Sequence, residues 1–267
     1  MDIFRTNKHI FDLSKKTYIM GILNVTPDSF SDGGKYLSPE KAIHRAMEIE
    51  NQGADIIDIG AQSTRPNHEI ISSDEEWSRL SAVLKQICNA VHIPISIDTF
   101  YPDIAKKALM CGAEIINDVS GFEDEAMFKI AAESKCGAII MHKTNQIANI
   151  RDFFESKLNK SRKFGINRYN LCFDPGIGFC KDRTQDAWII KNINELKIKG
   201  NAILIGASRK RIIGYLSESE NISERLAGTI AVNSYAQLNG ANILRVHDVK
   251  EAVQAAKCID KLAKSRG

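Results

Sequence analysis

The chain has 267 residues, 43% of them hydrophobic, which is enough for one large core and falls in the size range of a single (β/α)8 domain. Its 36 Lys and Arg stand against 33 Asp and Glu and are scattered rather than clustered, so a net charge of +3 gives no reason to expect a nucleic-acid partner. No uninterrupted apolar run is long enough to cross a bilayer, and the opening MDIFRTNKHIF is broken by charges, so a soluble cytoplasmic protein with no membrane partner is expected.

Taken in chain order, IFRTNKHIFDL places an Asn7-Lys8 turn between two apolar-rich runs, which predicts a short β-hairpin. Eight β-branched runs follow: YIMGILNV (18–25), DIIDIG (55–60), PISID (94–98), EIINDV (114–119), GAIIMH (137–142), NLCFD (170–174), AILIGAS (202–208) and NILRVH (242–247). Helical patterns lie between them. One starts with Ser38 as cap and Pro39 in the first turn. Another spans 73–91, with Ser73 and Glu76 as a capping box and Trp77, Leu80, Leu84, Ile87 and Val91 at helical spacing. A third starts after Asp248, which with Glu251 reads as a further capping box. Eight strand–helix units with near-continuous apolar strands predict parallel strands buried on both faces, and so a TIM barrel over residues 1–267 with the hairpin covering its floor. The six cysteines, at 88, 111, 136, 172, 180 and 258, form no C-x-x-C pair and read as buried thiols of a reducing compartment.

The chemistry is concentrated at strand ends. Asn24, Asp98, Asn117, His142, Asp174, Ser208 to Lys210, Arg245 and His247 all follow or close an apolar run, and the C-terminal ends of barrel strands form the active face of this architecture. Any one of these residues alone could be a helix cap or a loop-solvating group; their convergence on one rim argues otherwise. The set contains two opposed chemistries. Asp98, Asn117 and Asp174 suit the amino-pyrimidinone edge of a pterin, while Arg65, Lys210, Arg245 and His247 are cations suited to phosphate. His142 reads equally well as a capping or core histidine and is given no catalytic role.

At these positions the sequence closely resembles the dihydropteroate synthases. The shared motifs are MGILNVTPDSFSDGG (20–34), STRP (63–66), IDT (97–99), NDVSG (117–121), DPGIGF (174–179), SRKR (208–211) and RVHDV (245–249), in the family's order and spanning the first barrel strand to the last. The resemblance implies a Mg²⁺-dependent transferase, usually a homodimer, that joins a dihydropterin diphosphate to p-aminobenzoate. It implies that Asp98, Asn117, Asp174 and Lys210 bind the pterin, and that Asn24 helps coordinate the magnesium. Arg65, Arg245 and His247 would meet the diphosphate. The aminobenzoate site would be formed by Phe30 and Pro66 as walls, Thr64 and Ser208 as polar contacts, and Phe179 along the ring, with Asp32 and Arg65 pairing as two loops meet. Asp98, Lys210, Asp32 and Arg65 are the expected catalytic set. Gly33 and Gly34 with Pro27 suggest a lid. GAQSTRPN (60–67), MHKTNQ (141–146) and Arg211 depart from commoner family patterns. A pterin-dependent methyltransferase and a catalytically silent pterin-binding homologue stand as alternatives, the first leaving Arg65, Arg245 and His247 without a purpose.

Overall fold

The computed structural model describes residues 2–26, 39–62, 70–219 and 221–264. The eight apolar runs form the strands β3 (Tyr18–Asn24), β4 (Ile56–Gly60), β5 (Ile95–Asp98), β6 (Ile115–Asp118), β7 (Gly137–Met141), β8 (Leu171–Asp174), β9 (Ala202–Ile205) and β10 (Ile243–Val246). Each pairs in parallel with the next, and β10 returns to β3 with Ile243 opposite Tyr18 and Val246 opposite Gly21, closing the barrel. Seven of the eight strands are buried through all or nearly all of their length, because helices cover the outside and side chains fill the inside.

Alternation along the strands sorts these side chains into two cores. Met20, Ile56, Ile115, Ile139, Cys172, Ala202, Leu204 and Ile243 form one cluster inside the barrel. Their neighbours, such as Ile19, Ile57, Ile97, Ile116, Ile140, Phe173 and Leu244, pack outward against the helices. A strand has a period of two, so stepping two residues from the inner cluster leads from Ile56 to Asp58, from Ile115 to Asn117, from Cys172 to Asp174 and from Ile243 to Arg245. The interior is therefore apolar low in the barrel and polar at the C-terminal mouth.

The hairpin consists of β1 (Ile3–Arg5) and β2 (Ile10–Asp12), paired with Phe4 opposite Phe11 and closed by the Thr6 amide donating to the His9 carbonyl at 2.9 Å. Phe4 and Phe11 stack at 5.7 Å between ring centroids and join the inner cluster. Thr6 and His9 both contact Glu114, the residue before β6, at 2.6 and 2.8 Å. The hairpin is a plug for the floor, as its sequence suggests.

Three local expectations change. The helix expected over 73–91 is two, α2 (Ser73–Ser81) and α3 (Leu84–Ala90), because Val83 leaves helical geometry at φ −124°. Its cap is Ser72, whose hydroxyl accepts the Glu75 amide, so the capping pair lies one residue earlier than Ser73 and Glu76. Glu76 is instead buried. The last helix, α11 (Val249–Lys264), does start after Asp248, but that carboxylate accepts from Arg209. Of the six cysteines, Cys136 and Cys172 are buried while Cys180 and Cys258 are exposed, so burial holds for only part of the set. Among the described residues no helix is long and apolar enough to cross a membrane.

Candidate active site at the barrel mouth

The mouth is organised around a guanidinium. From β10, Arg245 donates through Nε to Asp58 at 2.6 Å and through Nη2 to Asp98 at 2.8 Å. Asp58, in the middle of β4, has no solvent exposure, and the same Oδ2 also accepts Asn117 Nδ2 at 3.0 Å. Four strands thus contribute one connected polar group. Burial raises the Asp98 carboxyl to about 7, opposed by Arg245 and reinforced by the Asp58 charge. An arginine held on two buried acids is fixed in orientation, since leaving either charge unpaired is costly.

Across the barrel, Asp174 closes β8, and its carboxylate accepts the Gly176 amide at 2.7 Å. Burial raises its pKa, with Lys210 opposing. Lys210 Nζ donates to the Ile177 carbonyl at 2.6 Å and lies 4.5 Å from the centre of the Phe179 ring, a cation–π distance. Burial also lowers Lys210 to about 8. Lys210 owes its stance to the turn after β9: Arg209 sits in left-handed backbone at φ 57°, its amide donating to Thr229 and its carbonyl accepting from Arg225. The turn sends the Arg209 side chain outward to Asp248 and leaves Lys210 beside the mouth.

Gly60 and Gly206 border the rim. A methyl group on Gly60 would touch Asp98 Oδ2 and Asn24 Oδ1, each at 3.8 Å, and one on Gly206 would meet Lys210 Nζ and Arg245 Cδ, each at 3.9 Å. Asn24, Asp98, Lys210 and Arg245 therefore share the rim. Ser208 and His247 pair separately, with Oγ to Nδ1 at 3.1 Å. Burial, then the charge of Arg245, lowers His247 to about 4, so near neutral pH it acts as a neutral hydrogen-bonding group and not as a cation.

This chain matches the family model of pterin-binding enzymes over residues 20–247. It is 41% identical to the dihydropteroate synthase of Synechocystis sp., over 95% of this chain and 92% of that one. The chain belongs to the dihydropteroate synthase family. It is also 43% identical to the dihydropteroate synthase of Clostridium difficile solved in the presence of pteroic acid, with a TM-score of 0.89 and 94% and 98% of the two chains covered. The Xanthomonas albilineans dihydropteroate synthase in complex with 7,8-dihydropteroate superposes at a TM-score of 0.90, with 31% identity and 98% of each chain covered.

Of the residues singled out from sequence, Asp98, Asn117, Asp174, Lys210, Arg245, Asn24, Phe179, Ser208 and His247 stand at one end of this dihydropteroate synthase-family barrel. Phe30, Asp32, Thr64, Arg65 and Pro66, with Ser38, Pro27, Gly33 and Gly34, lie outside the described residues. Asp58 was missed. The available signal was an acid inside an otherwise apolar strand, IIDIG, where only a specific partner stabilises a charge. His142 is a core histidine: it packs edge-on against Phe153 at 5.2 Å, contacts Thr144 at 3.1 Å and is pushed to about 4 chiefly by burial. Arg211 is the exposed first residue of α9 (Arg211–Leu216).

Proposed function

We propose that this chain is a dihydropteroate synthase, condensing 6-hydroxymethyl-7,8-dihydropterin diphosphate with p-aminobenzoate. The amine nitrogen forms a bond to the pterin methylene carbon, the carbon–oxygen bond to diphosphate breaks with its electron pair leaving on the diphosphate, and the new secondary amine loses a proton. The observation that carries this reading is the convergence at one barrel mouth of acids suited to a pterin and cations suited to its acceptor atoms and leaving group.

Asp98, Asn117 and Asp174 bind the pterin edge, and Lys210 donates to its ring carbonyl and ring nitrogen. Asp98 also stabilises positive charge that develops on the dihydropterin as the diphosphate departs. Arg245, Arg65 and the neutral His247 receive the diphosphate. Ser208 and Phe179, with Phe30, Thr64 and Pro66, hold the aminobenzoate, and Asp32 pairs with Arg65. A single amide oxygen at the rim, Asn24 Oδ1, fits Mg²⁺, which takes oxygen ligands and fills its shell from water and substrate. When bound, the ion neutralises charge on the leaving diphosphate.

A homodimer in the cytoplasm completes the reading. Exposed Leu216, Leu226, Tyr235 and Leu238 on α9 and α10 (Leu226–Leu238) favour self-association, and six free thiols suit a reducing compartment. Mixing the purified protein with Mg²⁺, the dihydropterin diphosphate and p-aminobenzoate should yield dihydropteroate and diphosphate. Pterin binding without product would instead mark a silent homologue, and light scattering of the same sample reads the oligomeric state.

A further inference from the structure

The segment 175–182 between β8 and α7 (Arg183–Lys191) carries Phe179 and is anchored by two charged side chains with no place in the chemistry above. Asp186, in the first turn of α7 and 3% exposed, accepts the Gly178 amide at 2.8 Å. Lys181, 7% exposed, donates to the His142 carbonyl at 2.9 Å and to the Phe179 carbonyl at 3.2 Å. The two grip the backbone on either side of Phe179. Burying them is costly, and burial lowers Lys181 to about 8 and raises Asp186. A capping box between Asp182 and Gln185 fixes where α7 starts, and so where Asp186 points.

The backbone they hold has little freedom. Gly176 and Gly178 both adopt left-handed geometry, at φ 74° and 78°. A methyl group on Gly176 would lie 2.1 Å from the His142 carbonyl oxygen, and one on Gly178 would lie 3.1 Å from Lys210 Cδ. Gly178 therefore rests on the stem of Lys210, and Phe179 follows directly, its ring beside the ammonium. Displacing Gly178 displaces Phe179.

We propose that Asp186 and Lys181 are positioning residues of the aminobenzoate site, clamping Gly178 and Phe179 so that the Phe179 ring is presented to the incoming aromatic amine, although neither clamp residue touches a substrate. The proposal rests on the functional reading above. Asp98 and Asn117 stand on strands away from the clamp, and Asp174, although its carboxylate accepts the Gly176 amide, is held by β8, so the larger effect falls on the second substrate.

The test compares the full-length protein with Asp186→Ala, Asp186→Asn and Lys181→Met, measuring KM for p-aminobenzoate, Kd for the dihydropterin diphosphate, and amide hydrogen exchange across 175–182. Asp186→Ala should raise the aminobenzoate KM about tenfold, leave pterin Kd within about threefold and speed exchange in the segment; Asp186→Asn, which keeps the acceptor oxygen, should restore KM to within about twofold of the parent. Lys181→Met should reproduce the selective rise, and it decides the matter if Asp186→Ala does not fold. Unchanged KM in folded Asp186→Ala or Lys181→Met, or equal weakening of both substrates, overturns the clamp while the parent's activity stands. A parent that binds pterin but forms no dihydropteroate overturns the functional reading and the clamp with it.

Discussion

Asp98 and Arg245 show how one contact can serve binding, chemistry and stability with different signs. Asp98→Asn keeps the size and one acceptor of the side chain but removes the charge, so kcat should fall by about 10²-fold or more while diphosphate binding changes little; a pure rise in KM with unchanged kcat would mean that the carboxylate acts only in binding. Arg245→Ala should weaken dihydropterin diphosphate in equilibrium titration. It also leaves Asp58 and Asp98 without their cation, a loss on the order of 3–5 kcal/mol in urea unfolding at pH 7.5, and smaller at pH 5, below the Asp98 value of about 7, where Asp98 carries a proton. Because the folded protein holds Asp98 up at about 7, it retains a proton that the unfolded chain has lost above about 4; this stabilisation is complete below about pH 4 and disappears as pH rises through 7. Activity runs the other way. The profile of kcat/KM should rise through about pH 7 as Asp98 ionises and fall above about 8 as Lys210 deprotonates, and a flat profile between pH 6 and 9 would exclude these two groups. The residues at or next to the end of a strand, such as Asp98, Asn117 and Asp174, were legible because a polar group there interrupts an apolar run. Asp58 was not, because its partners Asn117 and Arg245 are 59 and 187 residues away in the chain. No local pattern predicts that a mid-strand acid will meet a guanidinium.

At the scale of elements, strand positions follow from composition, since a buried parallel strand needs a short, largely apolar run and little else. All eight barrel strands lie within the runs read from sequence. Helix ends were less legible. The bend at Ala82 and Val83 has no Gly or Pro to announce it, and Ser72 and Ser73 are equally good caps until tertiary packing buries Glu76. Turns that place function were least legible of all, since Arg209 in left-handed backbone is neither Gly nor Asn. The N-terminal hairpin offers the sharpest test at this scale. A methyl group on Gly137 would lie 2.8 Å from Phe4 Cζ and 3.1 Å from Ile115 Cγ1, so Gly137→Ala should be destabilising and Phe4→Ala should cost about 3–5 kcal/mol in urea unfolding. Neither should change kcat in protein that remains folded, because both lie at the end of the barrel opposite Asp98 and Lys210.

For the whole molecule, separate ends for stability and chemistry mean that ligand binding adds to stability without touching the floor. Dihydropterin diphosphate at about 100 times its Kd should stabilise the protein by about 2.7 kcal/mol, seen as a raised thermal midpoint that vanishes in any variant unable to bind the pterin. The barrel becomes continuous only when β10 meets β3, bringing Ile243 opposite Tyr18 and Val246 opposite Gly21. That pairing spans nearly the whole chain, and loops of such length are closed late because their entropy must be lost before the contacts form. Phe4 and Phe11 share one buried cluster with side chains from both strands of this seam, Met20 and Ile243 among them, so the hairpin has no complete floor to cover until the last strand is in place. Substitutions in the plug should therefore quicken unfolding and leave the refolding rate nearly unchanged, a low φ-value that stopped-flow kinetics on Phe4→Leu would read directly.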